Sequence, residues 1–384
     1  MRLIIGLWCA LAAAPAAAQQ DRPVMLHVGG SVAWNTNPLR QPEAVSDRIT
    51  TFFAGLRVDR AYAQQRLLLD ITSTAYRYDR LSYLDFDALN YSGLWAWRLG
   101  RGWNGTIGAE RTESLVNYSE FGDPTQRNVL IQQREFASAE HWLGGGWHVR
   151  GGLERLQQKY SVPFPQRGNY EAGGADAGIE YVARSTSTAA LKFRALDGQF
   201  DRPLDPVARL DDGFKRIESE LSLIWVATAR STFDLRAGWL DYRSNHFAER
   251  DVSGPVGAAA YRWTPAARLD LSLRASRALE PWADQNASYR AVDRRGLEAR
   301  WQIAARTGLR FAFERQDADY RNPLPEFTGP ARFDSLRSAQ LALEWRARRN
   351  IVLDASLQRQ RQSSSDPAAR FEARVASLAA SIRF

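Results

Sequence analysis

The 384 residues carry 51 Lys+Arg against 43 Asp+Glu, a formal net charge of +8, with one cysteine and four histidines. Only Lys159, Lys192 and Lys215 are lysines, and the basic residues are dispersed along the chain, which argues against nucleic-acid recognition. Beyond the first eighteen residues no stretch approaches the roughly 18 consecutive apolar residues of a membrane helix, so any span must be made of strands.

Met1-Arg2, the apolar run Leu3 to Ala14 and then Pro15-Ala16-Ala17-Ala18 read as a secretory signal, residues 1–18, with cleavage after Ala18. The predicted mature chain, 19–384, loses Cys9 with the signal and keeps no thiol for a disulfide or a thiolate metal site. Its net charge falls by one to +7, since Arg2 is the only charge removed. Arginine suits planar, bidentate contacts with carboxylate or phosphate. A GC-rich genome accounts for the arginine excess equally well.

From Val24 onward the hydrophobic period is two. Eighteen alternating segments follow in chain order: 24–34, 48–58, 64–77, 86–99, 104–119, 129–143, 147–160, 170–183, 187–199, 214–227, 231–243, 251–263, 267–278, 288–303, 307–320, 336–346, 350–361 and 371–384. In the fourth, Leu89, Tyr91, Gly93, Trp95, Trp97 and Leu99 share one face against Asn90, Ser92, Leu94, Ala96 and Arg98. In the thirteenth, Leu269, Leu271 and Leu273 alternate with Asp270, Ser272 and Arg274. Most segments are longer than the five or six residues usual in soluble sheets, and the pattern predicts an all-β transmembrane antiparallel barrel of about 18 strands.

Short turns such as Gly144-Gly145-Gly146, Thr264-Pro265-Ala266 and Arg348-Arg349-Asn350 take turns with longer polar loops such as Phe200 to Gly213 and Asn322 to Ser335. That asymmetry is the one between short periplasmic turns and long extracellular loops in the bacterial outer membrane. Trp97, Trp103, Trp142, Trp147, Trp225, Trp263, Trp301 and Trp345 all lie near short turns, where an aromatic girdle at the periplasmic interface would place them. The last segment alternates to the aromatic terminus Phe384 and resembles the strand signal read by the barrel-assembly machinery.

Ser138, Glu140 and His141 are the only sequence-local group suggestive of hydrolase chemistry, but on a strand His141 points away from the other two. The histidines have no chelating spacing. Asp201 and Asp205 with Asp211-Asp212 could hold calcium weakly, although a solvated external loop explains them better. Neither an enzyme nor a cofactor is expected.

What remains is the lumen. With the apolar faces against outer-membrane lipid, the inward candidates include Arg98, Arg150, Arg236, Arg262, Arg274, Arg300, Arg310 and Arg346, with Glu180, Glu218, Glu220, Glu298, Glu314 and Glu344. Interior charges need partners or water. Arg300 and Arg310 should be neighbours across the turn at Ala305-Arg306, at a periplasmic mouth more basic than mid-lumen.

Ser46-Asp47-Arg48-Ile49-Thr50-Thr51, Ala54-Gly55-Leu56-Arg57-Val58-Asp59, Tyr76-Arg77-Tyr78-Asp79, Trp95-Ala96-Trp97-Arg98-Leu99-Gly100 and Phe247-Ala248-Glu249-Arg250-Asp251 resemble the exosortase-linked (PEP-CTERM-associated) polysaccharide-biosynthesis outer-membrane protein family. The resemblance implies a passive polar conduit serving biosynthesis or export of an extracellular polysaccharide, with that polymer and periplasmic export proteins as partners. The residues alone fit a general diffusion or sugar-uptake porin as well, or a structural barrel of an export complex.

Overall fold

The computed structural model describes residues 23–120, 123–163 and 168–384; the predicted signal, 1–18, lies outside them. The strands are β1 Val24–Asn35, β2 Asp47–Tyr62, β3 Gln65–Tyr78, β4 Phe86–Leu99, β5 Trp103–Leu115 and β6 Val129–Gly144. Next come β7 Trp147–Tyr160, β8 Tyr170–Val182, β9 Thr188–Phe200, β10 Gly213–Thr228, β11 Ser231–Ser244 and β12 Val252–Ala266. The last six are β13 Leu269–Asp284, β14 Ala287–Ala304, β15 Thr307–Arg321, β16 Phe333–Arg348, β17 Ile351–Ser364 and β18 Phe371–Arg383. Each is antiparallel to its neighbours in sequence, and β1 pairs with both β2 and β18, which closes an 18-stranded barrel with no free edge. The described helix is limited to single turns at Ser82–Leu84, Ala248–Arg250 and Pro367–Ala369.

Alternation separates two chemistries across the wall. On the outer parity Leu153 is 67% exposed, Phe193 54% and Leu357 61%. A continuous apolar band of that kind is unstable in water and is the lipid-facing surface of a membrane barrel. The barrel is therefore an outer-membrane one, with its eight short turns on the periplasmic side. The indoles of Trp103, Trp142, Trp147, Trp225, Trp263, Trp301 and Trp345 are all exposed and sit close to those turns. Register shifts at Trp142/Gly144, Trp263/Ala266, Gln302/Ala304 and Trp345/Arg348 mark bulges at the same end.

Two boundaries differ from the sequence expectation for physical reasons. The turn expected at Thr264–Ala266 falls after Ala266, because Pro265 sits inside the bulge, where no ladder hydrogen bond needs its missing N–H. On the extracellular side, 279–287 was expected to be a loop. Instead β13 and β14 remain paired to Asp284↔Ala287, leaving a two-residue connection. The β12–β13 ladder stops much earlier, at Gly257↔Arg277, in a stretch where Pro255 and Pro281 lack donors. Ala287, Ser288, Arg290, Ala291 and Val292 are buried, so β14 is covered on both faces there.

Candidate functional site: the lumen and its extracellular mouth

Every sequence-predicted lumen residue lies on the inner parity of its strand, most of them between exterior apolar neighbours, but the set does not converge on one site. Glu298 meets Arg300 at 2.5 Å and Arg274 at 3.9 Å, Arg236 meets Asp234 at 3.2 Å, and Arg346 meets Glu344 at 2.9 Å. Glu218 pairs with Arg194 at 3.3 Å and with Arg216, while Glu154 joins Arg194 to Arg134. Arg98, Arg150, Arg262, Glu180, Glu220 and Glu314 have no ion pair among the described residues. Arg300 and Arg310 are directly opposed in the β14–β15 ladder, and Arg310 donates to Gln340 at 3.0 Å. Toward the periplasm these side chains stay wet: Arg274 is 56% exposed and Arg346 51%.

The extracellular end is built differently. The β5–β6 loop leaves one wall and carries Glu120 to Arg290 on β14, 3.3 Å away. β5 and β14 stand nine places apart in a ring of eighteen, so the segment 116–120 reaches across the mouth towards the opposite wall. Arg290 is 1% exposed; its Nε donates to Glu280 at 2.8 Å, and Arg294 binds the other Glu280 oxygen at 2.8 Å. The Arg290 guanidinium also lies 4.8 Å from the centre of the Trp282 ring. Glu120 faces a second cation, Arg40, whose guanidinium is pushed down by burial while the Glu120 charge opposes that shift.

Neighbouring loops hold the crossing loop in place. Leu39, Leu81, Leu84, Val116, Tyr118 and Tyr160 form one buried apolar cluster contributed by three loops and β7. Gln41 donates to the Tyr118 carbonyl at 2.8 Å, and the Asp47 carboxylate accepts from the amides of Asp79, Arg80 and Leu81. On the far side Arg250 is buried and donates to the carbonyls of Asp284, Ala287 and Arg209, fixing the β13–β14 tip to two loops. Between that tip and the β8–β11 wall lies a cavity of about 70 Å³, lined by Tyr170, Phe200, Phe214 and Tyr242 with Arg202 and Arg216.

The expected chemistry of the minor candidates resolves into structural roles. Ser138 bonds Thr106 at 2.8 Å, Glu140 lies 2.6 Å from His148, and the His141 ring lies tilted against Trp103 on the outside. The Asp205 carboxylate accepts from the amides of Val207 and Ala208. Asp211, Asp212 and His246 bring ligand atoms within 4.8 Å of one another, yet Asp211 is already engaged by the backbone amide and ring of His246 and by the Phe247 amide. Burial would raise the Asp211 carboxyl, but these hydrogen bonds outweigh it and hold it at about 2. The sequence reading missed Arg290, Arg294, Glu280 and Glu120. Arg290 and Arg294 share the parity of Arg300, so that signal was present; nothing local marks a loop residue such as Glu120.

A closed eighteen-stranded barrel with a lipid-facing exterior, a charged interior and a loop across its mouth defines the class as an outer-membrane, porin-like barrel. Residues 226–384 match the family described as "Putative beta-barrel porin 2". Among solved structures, Pseudomonas aeruginosa OccK2 (OpdF) in complex with glucuronate superposes with a TM-score of 0.55 at 13% identity, covering 94% of this chain and 98% of that one. Acinetobacter baumannii OccAB3 gives 0.53 at 10%, and P. aeruginosa OpdK with vanillate 0.51 at 11%, each covering 94% of this chain and 98% of its own. At these identities the likeness is one of fold. A comparison with curated proteins finds no match.

Proposed function

We propose that this barrel is a passive diffusion channel for small hydrophilic solutes, selective at its extracellular mouth, rather than a conduit for a polymer. The observation that carries this reading is the contact of Glu120, on the β5–β6 loop, with Arg290 on the opposite wall, since a loop held across the mouth narrows the path before the wet periplasmic half. The polysaccharide role implied by the exosortase-linked resemblance rests on sequence resemblance alone.

Small carboxylates suit the path best. Among the lumen cations Arg98, Arg150 and Arg262 have no ion pair among the described residues, and Arg310 donates to the neutral Gln340, so they can meet a solute carboxylate. Glucuronate and vanillate, recorded with two of the fold neighbours, are carboxylates of that size. The test is single-channel conductance in planar bilayers for wild type and Glu120→Gln. The variant should conduct more and fluctuate more as the loop loosens. Identical current in a folded variant would detach the loop from the permeation path.

A further inference from the structure

Outside the barrel, near the extracellular end, the ladder registers set four arginines side by side. Arg295 opposes Arg315, Arg315 opposes Arg337, and Arg337 opposes Arg361, across four consecutive strands from β14 to β17. All four have the outer parity of Leu297, Phe313 and Leu341 and lie on the extracellular side of that apolar band. Arg295, Arg337 and Arg361 are exposed and have no ion pair or hydrogen bond among the described residues, while Arg315 is held by Asp317 at 3.0 Å.

This row differs from the rest of the outer rim. Elsewhere exterior charges near the extracellular end mostly meet an acid, as in Arg77–Asp87 and Arg243–Asp241 at 2.8 Å and Arg155–Glu171 at 2.7 Å, and Lys215, opposite Arg243, has Asp197 on its other side. Directly opposed residues on a sheet have Cβ atoms roughly 5 Å apart, and like charges there are destabilising. Two acids lie beside the row: Asp317 holds Arg315, and Glu372, opposite Arg361, is already shared by Arg359 and Arg374, so the arginines still outnumber the carboxylates and the surplus charge calls for an external anion. Guanidinium groups in a row at the edge of the lipid band present forked donors at the height of the headgroups, which matches tetrahedral oxyanions in shape and charge.

We propose that the Arg295–Arg315–Arg337–Arg361 row binds the phosphate groups of a phosphorylated lipid of the outer leaflet. The site is exterior and independent of the permeation path. A phosphorylated headgroup supplies several oxygens for more than one arginine, and its acyl chains continue down the apolar surface of Phe313, Leu341 and Leu357.

The test uses the refolded barrel in uncharged detergent, with bis-phosphorylated lipid A and its dephosphorylated form as probes, read by native mass spectrometry and thermal unfolding. Wild type should retain the phosphorylated lipid about tenfold more tightly and unfold at higher temperature with it. Arg295→Gln/Arg337→Gln/Arg361→Gln should lose that discrimination, yet unfold at the same or higher temperature than wild type without lipid, because the repulsion is gone. Arg155→Gln/Arg243→Gln, on other strands, should respond as wild type does. Equal retention of the two lipids by wild type would overturn the proposal, as would an unchanged preference in the triple variant or full stabilisation by inorganic phosphate alone. If the triple variant does not fold, the single Arg337→Gln variant and the wild-type lipid comparison decide the question.

Discussion

Arg290 is the residue on which the mouth turns. It is almost wholly buried and holds two carboxylates, Glu280 at 2.8 Å and Glu120 at 3.3 Å. Truncating one partner of a buried pair strands the other charge in a low dielectric, so Arg290→Met should cost about 3–5 kcal/mol of barrel stability. Glu120→Gln should cost much less, because Arg290 keeps Glu280, while its effect on conductance is the larger one. Denaturant titration of the two folded variants measures the contrast; equal losses would mean that Glu120, not Glu280, anchors the cation. Both β14 arginines were legible from parity, since every second residue counted back from Arg300 faces inward. Glu120 was not, because a loop residue's partner across a barrel leaves no periodic trace in sequence.

At the level of elements, alternation fixed the facing of nearly every strand, and the periplasmic turns followed from their glycines and tryptophans. Gly144, Gly145 and Gly146 all take positive φ, which explains why that hairpin is built from glycine. The facing assignment has a direct consequence: Leu341→Arg on the lipid side should destabilise by about 2–4 kcal/mol near the midplane, and Gln340→Arg on the lumen side by far less. Equal costs in a folding titration would refute it. The inward-packed end of β13 and β14 was not legible, because Leu279 and Ala291 are buried by a separation between strands and not by periodicity. The β9–β10 and β11–β12 loops are joined by Asp211 and His246, 3.0 Å apart. The Asp211 bond holds the His246 ring above its ordinary 6.5, and Asp211 itself sits at about 2 against an ordinary 3.8. His246 therefore stabilises the joint fully below 6.5 and loses that contribution as pH rises through its raised value. Asp211 contributes above 3.8 and loses its share as pH falls through about 2. Loop protection in hydrogen exchange, corrected for intrinsic rates, should be greatest between about pH 4 and 6.5. Protection that grows from pH 6 to 8 would contradict the assignment.

For the whole molecule, eighteen strands, closure and orientation all follow from the number of alternating segments and the asymmetry of their connections. The function did not follow in the same way, because a polymer conduit and a solute channel share a lipid-facing exterior and a polar interior. They differ only in the loops at the mouth, whose packing depends on contacts between residues as far apart in sequence as Glu120 and Arg290. The decisive measurement is permeation through the refolded barrel in liposomes, with monosaccharides, their uronic acids, oligosaccharides of increasing length and a long acidic polysaccharide. A small-solute channel passes the monosaccharides, favours the uronic acid over its neutral parent and excludes the polymer. Passage of the polymer at a rate comparable to the monosaccharide, or no flux of any solute above empty liposomes, would contradict it.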